Sequence, residues 1–326
     1  MSLDSDMIVD RRRIRRKLTF WRVLAALIAI AAIAGFALTE APGTRGSFTS
    51  AGSIARVRIE GLIRNDADRV EALERLENSR ADAVIVYINS PGGTTAGSEQ
   101  LHDSLMRLKA KKPLVVVVEG LAASGGYIAA IASDHIVAQQ TSLVGSIGVL
   151  FQYPNVADLL KTIGVKIEEV KSSPLKAAPN GYEPTSPEAR AALDSLVKDS
   201  YAWFRGMVKE RRGMDDANLE KVADGRVFTG RQAIDLKLID ELGDERTAVA
   251  WLVAQKGVTK GLPVRDYKLH PRLGDLSFLR TAAAVTLEAL GLSTIAHQLQ
   301  QSGVTRAVDR LGMDGMLALW QPAAPN

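Results

Sequence analysis

Apolar positions along the middle of the chain follow two alternating periods, one typical of strands and one typical of helices. Residues 54–60 alternate between apolar and charged side chains, which predicts a half-exposed strand, whereas continuous apolar runs at 83–88 and 114–118 predict buried strands. Apolar residues at helical spacing predict helices around Val70–Leu76 and Leu101–Leu108. Alternating buried strands and helices predict an α/β domain with a mainly parallel core. The pattern leaves open a doubly wound sheet or a spiral of ββα units.

The following part of the chain predicts shorter strands and one long helix. A small-residue helix is expected at Gly126–Ala132, and short strands are expected near His135–Ala138 and Ile147–Leu150. A long helix is predicted over Leu193–Arg211, and a further helix over Thr229–Leu236. These elements continue the α/β pattern.

From about Gly261 the chain changes in character. Leu279–Leu290 is rich in alanine and leucine, and Val304–Trp320 is amphipathic. Three roles fit such a tail: a helix on a membrane surface, a contact with a partner, or ordinary packing against the domain. The pattern does not decide among them.

The N-terminus predicts a membrane anchor. A basic cluster precedes an apolar stretch, Leu18–Leu38, which is interrupted by Thr19 and Arg22. About 20 such residues cross a bilayer at ~1.5 Å per residue. The positive-inside rule keeps the basic cluster in the cytoplasm and sends the residues after Leu38 across the membrane. A cleavable signal peptide and a buried helix are the alternatives, and the length of the apolar run favours an uncleaved anchor.

The composition and net charge of the chain exclude some classes of function. The net charge of +4 comes mostly from the N-terminal basic cluster, so nucleic-acid binding by the exported part has no electrostatic basis. The chain contains no cysteine, which agrees with an exported domain without disulfide chemistry. Metal binding would need clustered histidine, cysteine or carboxylate ligands, and none are evident. No organic cofactor is implied either.

Ser124 is the first candidate for chemistry. It lies in the glycine-rich segment Gly120–Tyr127, between the apolar run at 114–118 and the predicted small-residue helix. A serine at such a junction lies beside unpaired backbone N–H groups and the positive end of the helix dipole, which can stabilise an oxyanion. Ser-Gly-Gly is also a common plain turn, so this position alone is weak evidence.

A second glycine-rich loop, Asn89–Gly93, follows the apolar run at 83–88. Two glycines after a proline let the backbone approach a ligand closely, although a purely structural turn is the alternative. Loops after parallel buried strands lie at the same sheet edge, where α/β sheets place their sites. Gly93 and Gly125 are therefore candidate oxyanion donors.

A serine nucleophile requires a general base, and none of the four histidines is convincing. His102 is placed on the polar side of a helix, and His135 is expected to point away from Ser124. His270 and His297 lie in the tail. The alternative base is a lysine in an apolar pocket, where loss of solvation lowers the pKa toward neutrality.

Three motifs occur in one order along the chain: Ser90-Pro91-Gly92-Gly93, Ala123-Ser124-Gly125-Gly126-Tyr127 and Gly145-Ser146-Ile147-Gly148-Val149. Together they resemble the signal peptide peptidase A (SppA) family of membrane-anchored Ser-Lys peptidases. The resemblance covers about Ile54–Leu242. It implies a caseinolytic-protease/crotonase-like spiral of ββα units, preceded by one transmembrane helix.

The resemblance also implies roles for single residues. Ser124 corresponds to the nucleophile. Lys176 corresponds to the general base, a lysine that the family carries in a loop after a β-strand. Ser146 corresponds to a serine that orients the lysine ammonium. Gly93 corresponds to an oxyanion donor, with Gly125 as the second donor.

Two other lysines, Lys166 and Lys171, lie in the same region of the chain as Lys176. A charged loop lysine is usually solvated. The spacing from Ser124 and the small neutral residues around Lys176 favour Lys176 as the base.

The expected function is a serine endopeptidase of the bacterial inner membrane that degrades residual signal peptides at the periplasmic face. Expected partners are cleaved signal peptides and other extended apolar peptides, the inner membrane, and further copies of the chain. Short members of the resembled family form rings of about eight copies, in which serine and lysine meet across protomer boundaries. A crotonase-like acyl-thioester enzyme and a non-catalytic membrane-anchored scaffold are the alternatives.

The expected organisation follows from these assignments. It comprises a cytoplasmic basic segment at 1–17, a transmembrane anchor at 18–38, a linker at 39–53, a Ser-Lys peptidase domain at 54–260 and a helical C-terminal extension at 261–326.

Overall fold

A computed structural model describes residues 52–269 and the backbone of residues 317–319. The predicted anchor at 18–38 and most of the predicted C-terminal extension lie outside the described residues. Within the described part, no helix is both long and apolar enough to cross a bilayer.

Strands and helices alternate through the described part. Its strands are β1 (Ile54–Glu60), β2 (Ala83–Ser90), β3 (Gly92–Thr94), β4 (Leu114–Ala123), β5 (His135–Ala138), β6 (Leu143–Gly145), β7 (Val227–Thr229), β8 (Glu241–Leu242), β9 (Val264–Asp266) and β10 (Leu317–Leu319). Its helices are α1 (Ala67–Glu77), α2 (Thr95–Lys111), α3 (Gly125–Ala130), α4 (Ala157–Thr162), α5 (Pro187–Arg212), α6 (Asp216–Val222), α7 (Gly230–Asp235) and α8 (Glu245–Lys256).

Most of these strands form one mixed sheet. Its order is β7-β6-β4-β2-β1-β9, with β5 beside β4 and β8 beside β5. All of these pairs are parallel except β6–β7, which confirms the predicted α/β domain with a mainly parallel core. The strand β9, beyond residue 260, pairs with the edge of this sheet at β1.

Helices cover both faces of the sheet. On one face, Ile85 and Val117 pack against Ala248 and Leu252 of α8, and all four side chains are buried. On the other face, α2 lies between α1 and α3 and contacts both. His102 of α2 is therefore buried, with 8% of its surface exposed. The prediction that His102 lies on a polar helix side was wrong, because the structure buries this position of the helix.

One predicted strand is misplaced. A strand was expected at Ile147–Leu150, and the structure instead has β6 at Leu143–Gly145. Gly145 and Ser146 have φ angles of 102° and 51°, which extended strands do not adopt, so β6 ends there.

Candidate active site

The carboxyl ends of three parallel strands build the candidate site. The last residue of β2 pairs with Ala122 of β4, and Ala123 pairs with Gly145 of β6. Ser124 and Ser146 each directly follow a residue of the second pair, on neighbouring strands ~4.8 Å apart. The loop after β2 and the Ser124 turn therefore lie at the same sheet edge, as the sequence predicted.

Ser124 lies in strained backbone between β4 and α3. Its φ and ψ angles are 53° and −116°, and only 1% of its surface is exposed. Its N–H donates to the carbonyl oxygen of Gly145 at 2.8 Å, and its Oγ donates to the carbonyl oxygen of Gly148 at 3.5 Å. A non-glycine residue in such a region costs about 1–3 kcal/mol and persists only where the surroundings enforce it. The buried strands around Ser124 provide that enforcement.

Positive φ angles occur at two of the positions that the motifs mark, Ser124 and Ser146. The described part has four non-glycine residues with positive φ: Ser124, Ser146, Ala177 and Lys237. The first two are the predicted nucleophile and the predicted lysine-orienting serine, and Ala177 directly follows Lys176. Backbone strain of this kind concentrates at functional sites. Backbone geometry and the motifs therefore coincide at Ser124 and Ser146.

The start of α3 places backbone donors beside Ser124. The helix begins at Gly125, and the first N–H groups of a helix have no acceptor within it. Tyr127 holds the helix in position, since its ring is fully buried and its hydroxyl donates to the carbonyl oxygen of Leu238 at 2.8 Å. Burial raises the pKa of Tyr127, so the hydroxyl stays protonated as a donor.

Gly93 lies in β3 against the backbone of Ile63. A Cβ at Gly93 would lie 1.7 Å from the carbonyl oxygen of Ile63, so only glycine fits. The N–H of Ile63 donates to Gly92 O, and the N–H of Thr94 donates to Ile63 O, both at 2.9 Å. Backbone groups of successive strand residues point to opposite sides. The N–H of Gly93 therefore points away from Ile63.

Two contacts that the sequence reasoning missed shape this loop. The Ser90 Oγ donates to the carbonyl oxygen of Gly61 at 2.7 Å and accepts from the N–H of Gly92 at 3.1 Å. A Cβ on Gly126 would lie 2.7 Å from the carbonyl oxygen of Ser90, so the two glycine-rich loops touch there. Ser90 thus holds the turn into β3. The signal was the serine just before Pro-Gly-Gly, because serine hydroxyls commonly bond nearby backbone in turns.

Ser146 is held next to Ser124 by β7. Its N–H donates to the carbonyl oxygen of Arg226 at 2.8 Å, and only 7% of its surface is exposed. The antiparallel pairing of β6 with β7 therefore anchors the predicted lysine-orienting serine from the side opposite Ser124.

Lys176, the predicted base, is not brought to the serines within one chain. It is exposed in the irregular segment between α4 and α5. In the described part, its ammonium makes no hydrogen bond to Ser124 or Ser146. Lys176 instead lines an open depression together with Val170 and Ala177.

Lys171, one of the two rival lysines, is engaged elsewhere. Its Nζ lies 2.5 Å from a carboxylate oxygen of Glu169 and 2.8 Å from one of Glu183. The hydrogen bond with Glu169, followed by that with Glu183, raises the pKa of Lys171. A general base requires the opposite shift, so this arrangement disfavours Lys171.

His135 lies at the opposite end of β4 from Ser124. This agrees with the prediction that it does not face the serine. It pairs with Val115 near the start of β4, and its ring stacks on Trp251 with centroids 4.6 Å apart. Its Nε2 lies 3.2 Å from a carboxylate oxygen of Glu241. The chain from Val115 of β4 to Ser124, just past the end of that strand, spans roughly 30 Å at ~3.3 Å per residue. His135 therefore does not reach the serine.

A short strand from the C-terminal region lies beside β3. The backbone of β10 runs antiparallel to β3, with Ala318 opposite Gly93. This strand falls within the predicted helical extension at 261–326, and no sequence pattern signalled that it pairs beside the candidate oxyanion donor.

Family models and known proteins agree with the motifs. A model described as peptidase family S49 matches residues 106–259, and one described as Clp protease matches residues 61–142. A protein of Synechocystis sp. that is named as a protease is 34% identical over 207 residues, which are 63% of this chain and 75% of that protein. A protein of Enterococcus faecium named for signal peptide peptidase SppA is 30% identical over 206 residues, which are 63% of this chain and 60% of that protein.

Among solved structures, a variant of the membrane-bound stomatin-specific protease 1510-N is 15% identical, with a TM-score of 0.45. The match covers 67% of this chain and 98% of that protein. The match to the Clp protease family model supports a Clp-protease-like α/β fold with a mixed sheet.

Proposed function

This chain belongs to peptidase family S49, and we propose that it hydrolyses peptide bonds with Ser124 as nucleophile and Lys176 as general base. One observation carries the proposal: positive φ angles occur at Ser124, at Ser146 and directly after Lys176. Two of these positions lie at the sheet edge, next to the glycine-rich strand β3. Serine peptidases need such a combination of a rigid nucleophile and backbone donors.

The proposed mechanism has two steps. The Ser124 Oγ attacks the peptide carbonyl carbon while Lys176 accepts the hydroxyl proton and then passes it to the leaving amine. Backbone N–H groups of Gly93 and Gly125 stabilise the tetrahedral oxyanion. Water then attacks the acyl-enzyme, Lys176 accepts a proton from it, and Ser124 leaves with a proton. Ser146 orients the lysine ammonium between these transfers.

A second copy of the chain supplies Lys176 in this proposal. The segment that carries Lys176 also exposes apolar side chains with 44–62% of their surface accessible: Leu159, Ile163, Val165, Ile167 and Leu175. Concentrated exposed apolar residues mark interaction surfaces. We propose that neighbouring copies cover this segment in a closed ring, of about eight copies by the resemblance.

The proposed substrates are extended apolar peptides, including signal peptides that remain in the membrane after export. An enclosed ring above the membrane would admit extended chains and exclude folded proteins. We propose that the predicted anchor at 18–38 holds the catalytic domain in the periplasm, as the positive-inside rule predicts. A reporter that is active only in the periplasm, fused after Asn326, should be active. Activity of a cytoplasm-only reporter at that position would refute the orientation and revive the acyl-thioester alternative.

The decisive experiment is labelling with a serine-reactive phosphonate. The wild-type protein and His135→Ala should incorporate the label and cleave an apolar peptide, and Ser124→Ala should do neither. The non-catalytic scaffold alternative predicts no labelling of any form. Loss of labelling in His135→Ala to the level of Ser124→Ala would overturn the Ser-Lys assignment.

A further inference from the structure

Ser90 joins three segments at the sheet edge where the candidate site lies. It is the last residue of β2, and it is completely buried. Its Oγ donates to the carbonyl oxygen of Gly61, just after β1, at 2.7 Å and accepts from the N–H of Gly92, at the start of β3, at 3.1 Å. Its own carbonyl oxygen lies against Gly126 of α3, where an added Cβ would approach it to 2.7 Å. One residue therefore contacts the end of β1, the start of β3 and the start of α3.

The pairing of β2 with β4 also brings Ser90 close to the proposed nucleophile. Ile88 pairs with Val118, whereas Ser90 pairs with Ala122, so β2 advances by two residues while β4 advances by four. Such an irregularity changes the direction of the residues that follow it and is common next to active sites. Ser90 therefore lies opposite a residue only two positions before Ser124.

The two proposed oxyanion donors belong to two of the segments that Ser90 contacts. The N–H of Gly93 is part of β3, and the N–H of Gly125 is part of α3. An oxyanion site requires each donor to lie within about 2.7–3.1 Å of one oxygen atom. The placement of β3 relative to α3 therefore sets how well the site stabilises a charge, and Ser90 lies between the two elements.

We propose that Ser90 is a positioning residue for catalysis, whose hydroxyl fixes the N–H of Gly93 relative to that of Gly125. This inference rests on the proposed peptidase function. Gly92 has a φ of 104°, and a glycine has no side chain that could hold the turn in one conformation. The Ser90 hydroxyl provides that restraint through the N–H of Gly92, and its bond to Gly61 fixes the hydroxyl itself. Ser90 acts through Gly93 and does not touch the substrate.

A positioning role predicts a loss in kcat with little change in KM. Ser90→Ala removes the acceptor of the Gly92 N–H, and a displaced oxyanion donor weakens binding of the transition state only. We expect Ser90→Ala to lower kcat about 30-fold, less than complete loss of a donor, and to change KM by less than about twofold.

Ser104→Ala is the matched control. Ser104 of α2 is also buried, and its Oγ donates to the carbonyl oxygen of Gln100 at 2.8 Å. This variant removes a buried serine hydroxyl outside the candidate site. It should lower the melting temperature about as much as Ser90→Ala does and keep kcat within about twofold of wild type.

A pair of inhibitors reports on the oxyanion donors directly. A trileucine peptide aldehyde adds to Ser124: the Oγ–C bond forms, the C=O double bond becomes a single bond, and the hydroxyl proton passes to Lys176, which leaves an oxyanion on the adduct. The corresponding trileucine alcohol has no carbonyl there and binds through its other contacts. Ser90→Ala should weaken binding of the aldehyde by roughly 30-fold, as it lowers kcat, and change the Kd of the alcohol by less than about twofold. A purely structural role would weaken binding of both ligands equally.

A double variant tests whether Ser90 acts through Gly93. In a Gly93→Ala background, Ser90→Ala should lower kcat by less than about threefold, because residues that act as one unit are not additive. The same loss from Ser90→Ala in both backgrounds would overturn the link to Gly93. The inhibitor comparison does not depend on this variant.

Two further results would overturn different claims. Unchanged kcat and aldehyde affinity in Ser90→Ala would remove the positioning role and leave the proposed peptidase intact. A wild-type protein that neither cleaves peptides nor binds the aldehyde more tightly than the alcohol would refute the proposed function, and the role of Ser90 with it.

Discussion

The serine half of the candidate site and the lysine segment are built in opposite ways. Ser124 and Ser146 follow paired residues of the sheet, and 1% and 7% of their surfaces are exposed. Lys176 lies on an exposed, irregular segment and reaches neither serine within one chain. Sheet register therefore completes one half of the site inside a single chain. The proposed other half, Lys176, lies on a surface that a single chain leaves open to solvent.

Backbone strain sharpens this contrast. Ser124 and Ala177 have nearly equal φ angles, 53° and 58°. Around Ser124, buried strands enforce the conformation, whereas Ala177 is exposed. Strained residues persist where their surroundings over-determine them. We therefore expect a neighbouring copy to hold the loop around Ala177 in the proposed ring.

The largest expected effect is the loss of activity on substitution of Lys176, compared with substitution of the two other lysines in the exposed segment. Lys176→Ala should lower kcat/KM by at least about 1,000-fold, as removal of a catalytic base does. Lys171→Ala removes ion pairs with Glu169 and Glu183 at the surface, and Lys166→Ala removes an exposed charge. Both should keep activity within about threefold of wild type, because exposed ion pairs contribute little. Activity retained by Lys176→Ala and lost in Lys166→Ala or Lys171→Ala would move the base to that lysine.

The second prediction tests whether the two halves belong to different copies. Inactive Ser124→Ala and Lys176→Ala proteins, mixed in equal amounts under conditions that allow exchange, should recover about one quarter of wild-type activity. The estimate assumes random mixing, so that about one junction in four joins an intact serine to an intact lysine. Mixed oligomers verified by mass spectrometry that stay inactive would show that each chain builds its own complete site.

The third prediction concerns Gly93, beside the serine half of the candidate site. Gly93→Ala should lower kcat about 100-fold, the range found when one oxyanion donor is lost, because the new Cβ must move away from Ile63 O. Gly206→Ala is the matched control. It lies in α5 with no atom within 4 Å of the added Cβ, and it should keep full activity and gain up to ~1 kcal/mol of stability. Full activity of Gly93→Ala would remove Gly93 from the oxyanion site.

The smallest expected effect is the pH dependence of stability that buried His102 causes. Burial lowers the pKa of His102, and the hydrogen bond with Asp103 raises it in part. The positive charges of Arg211 and Lys109 lower the pKa of His102 further. Below the unfolded pKa of about 6.5 the unfolded chain binds more protons, so stability falls as pH falls, by at most about 1.4 kcal/mol per pH unit.

Urea unfolding at pH 7.0 and pH 5.5 measures this effect. His102→Gln should show a smaller loss of stability between the two pH values than wild type. The same substitution at His297, in the tail, serves as control and should leave the loss unchanged. An equal loss in wild type and His102→Gln would mean that other groups set the pH dependence.

The local pattern of apolar and polar residues was sufficient to predict much of the fold. The bounds of β1 and β5 match their predictions, and β2 and β4 run past theirs by two and five residues. The extra length of β4 leads directly to Ser124. This extra length was not predicted because Gly-Leu-Ala-Ala shows no alternation of apolar and polar residues. These residues are extended only because they pair with β2 and β6.

The sequence by itself determined the alternation of strands and helices, the two glycine-rich loops and the order of motifs that marks the family. Periodicity, β-branched composition and glycine are local properties, so they can be read without the rest of the molecule. Only the tertiary structure decided that Ser124 and Ser146 lie side by side, that His102 is buried, and that residues 317–319 pair with β3. Each of these depends on contacts between segments far apart in the chain, where register and neighbouring helices outweigh local preference.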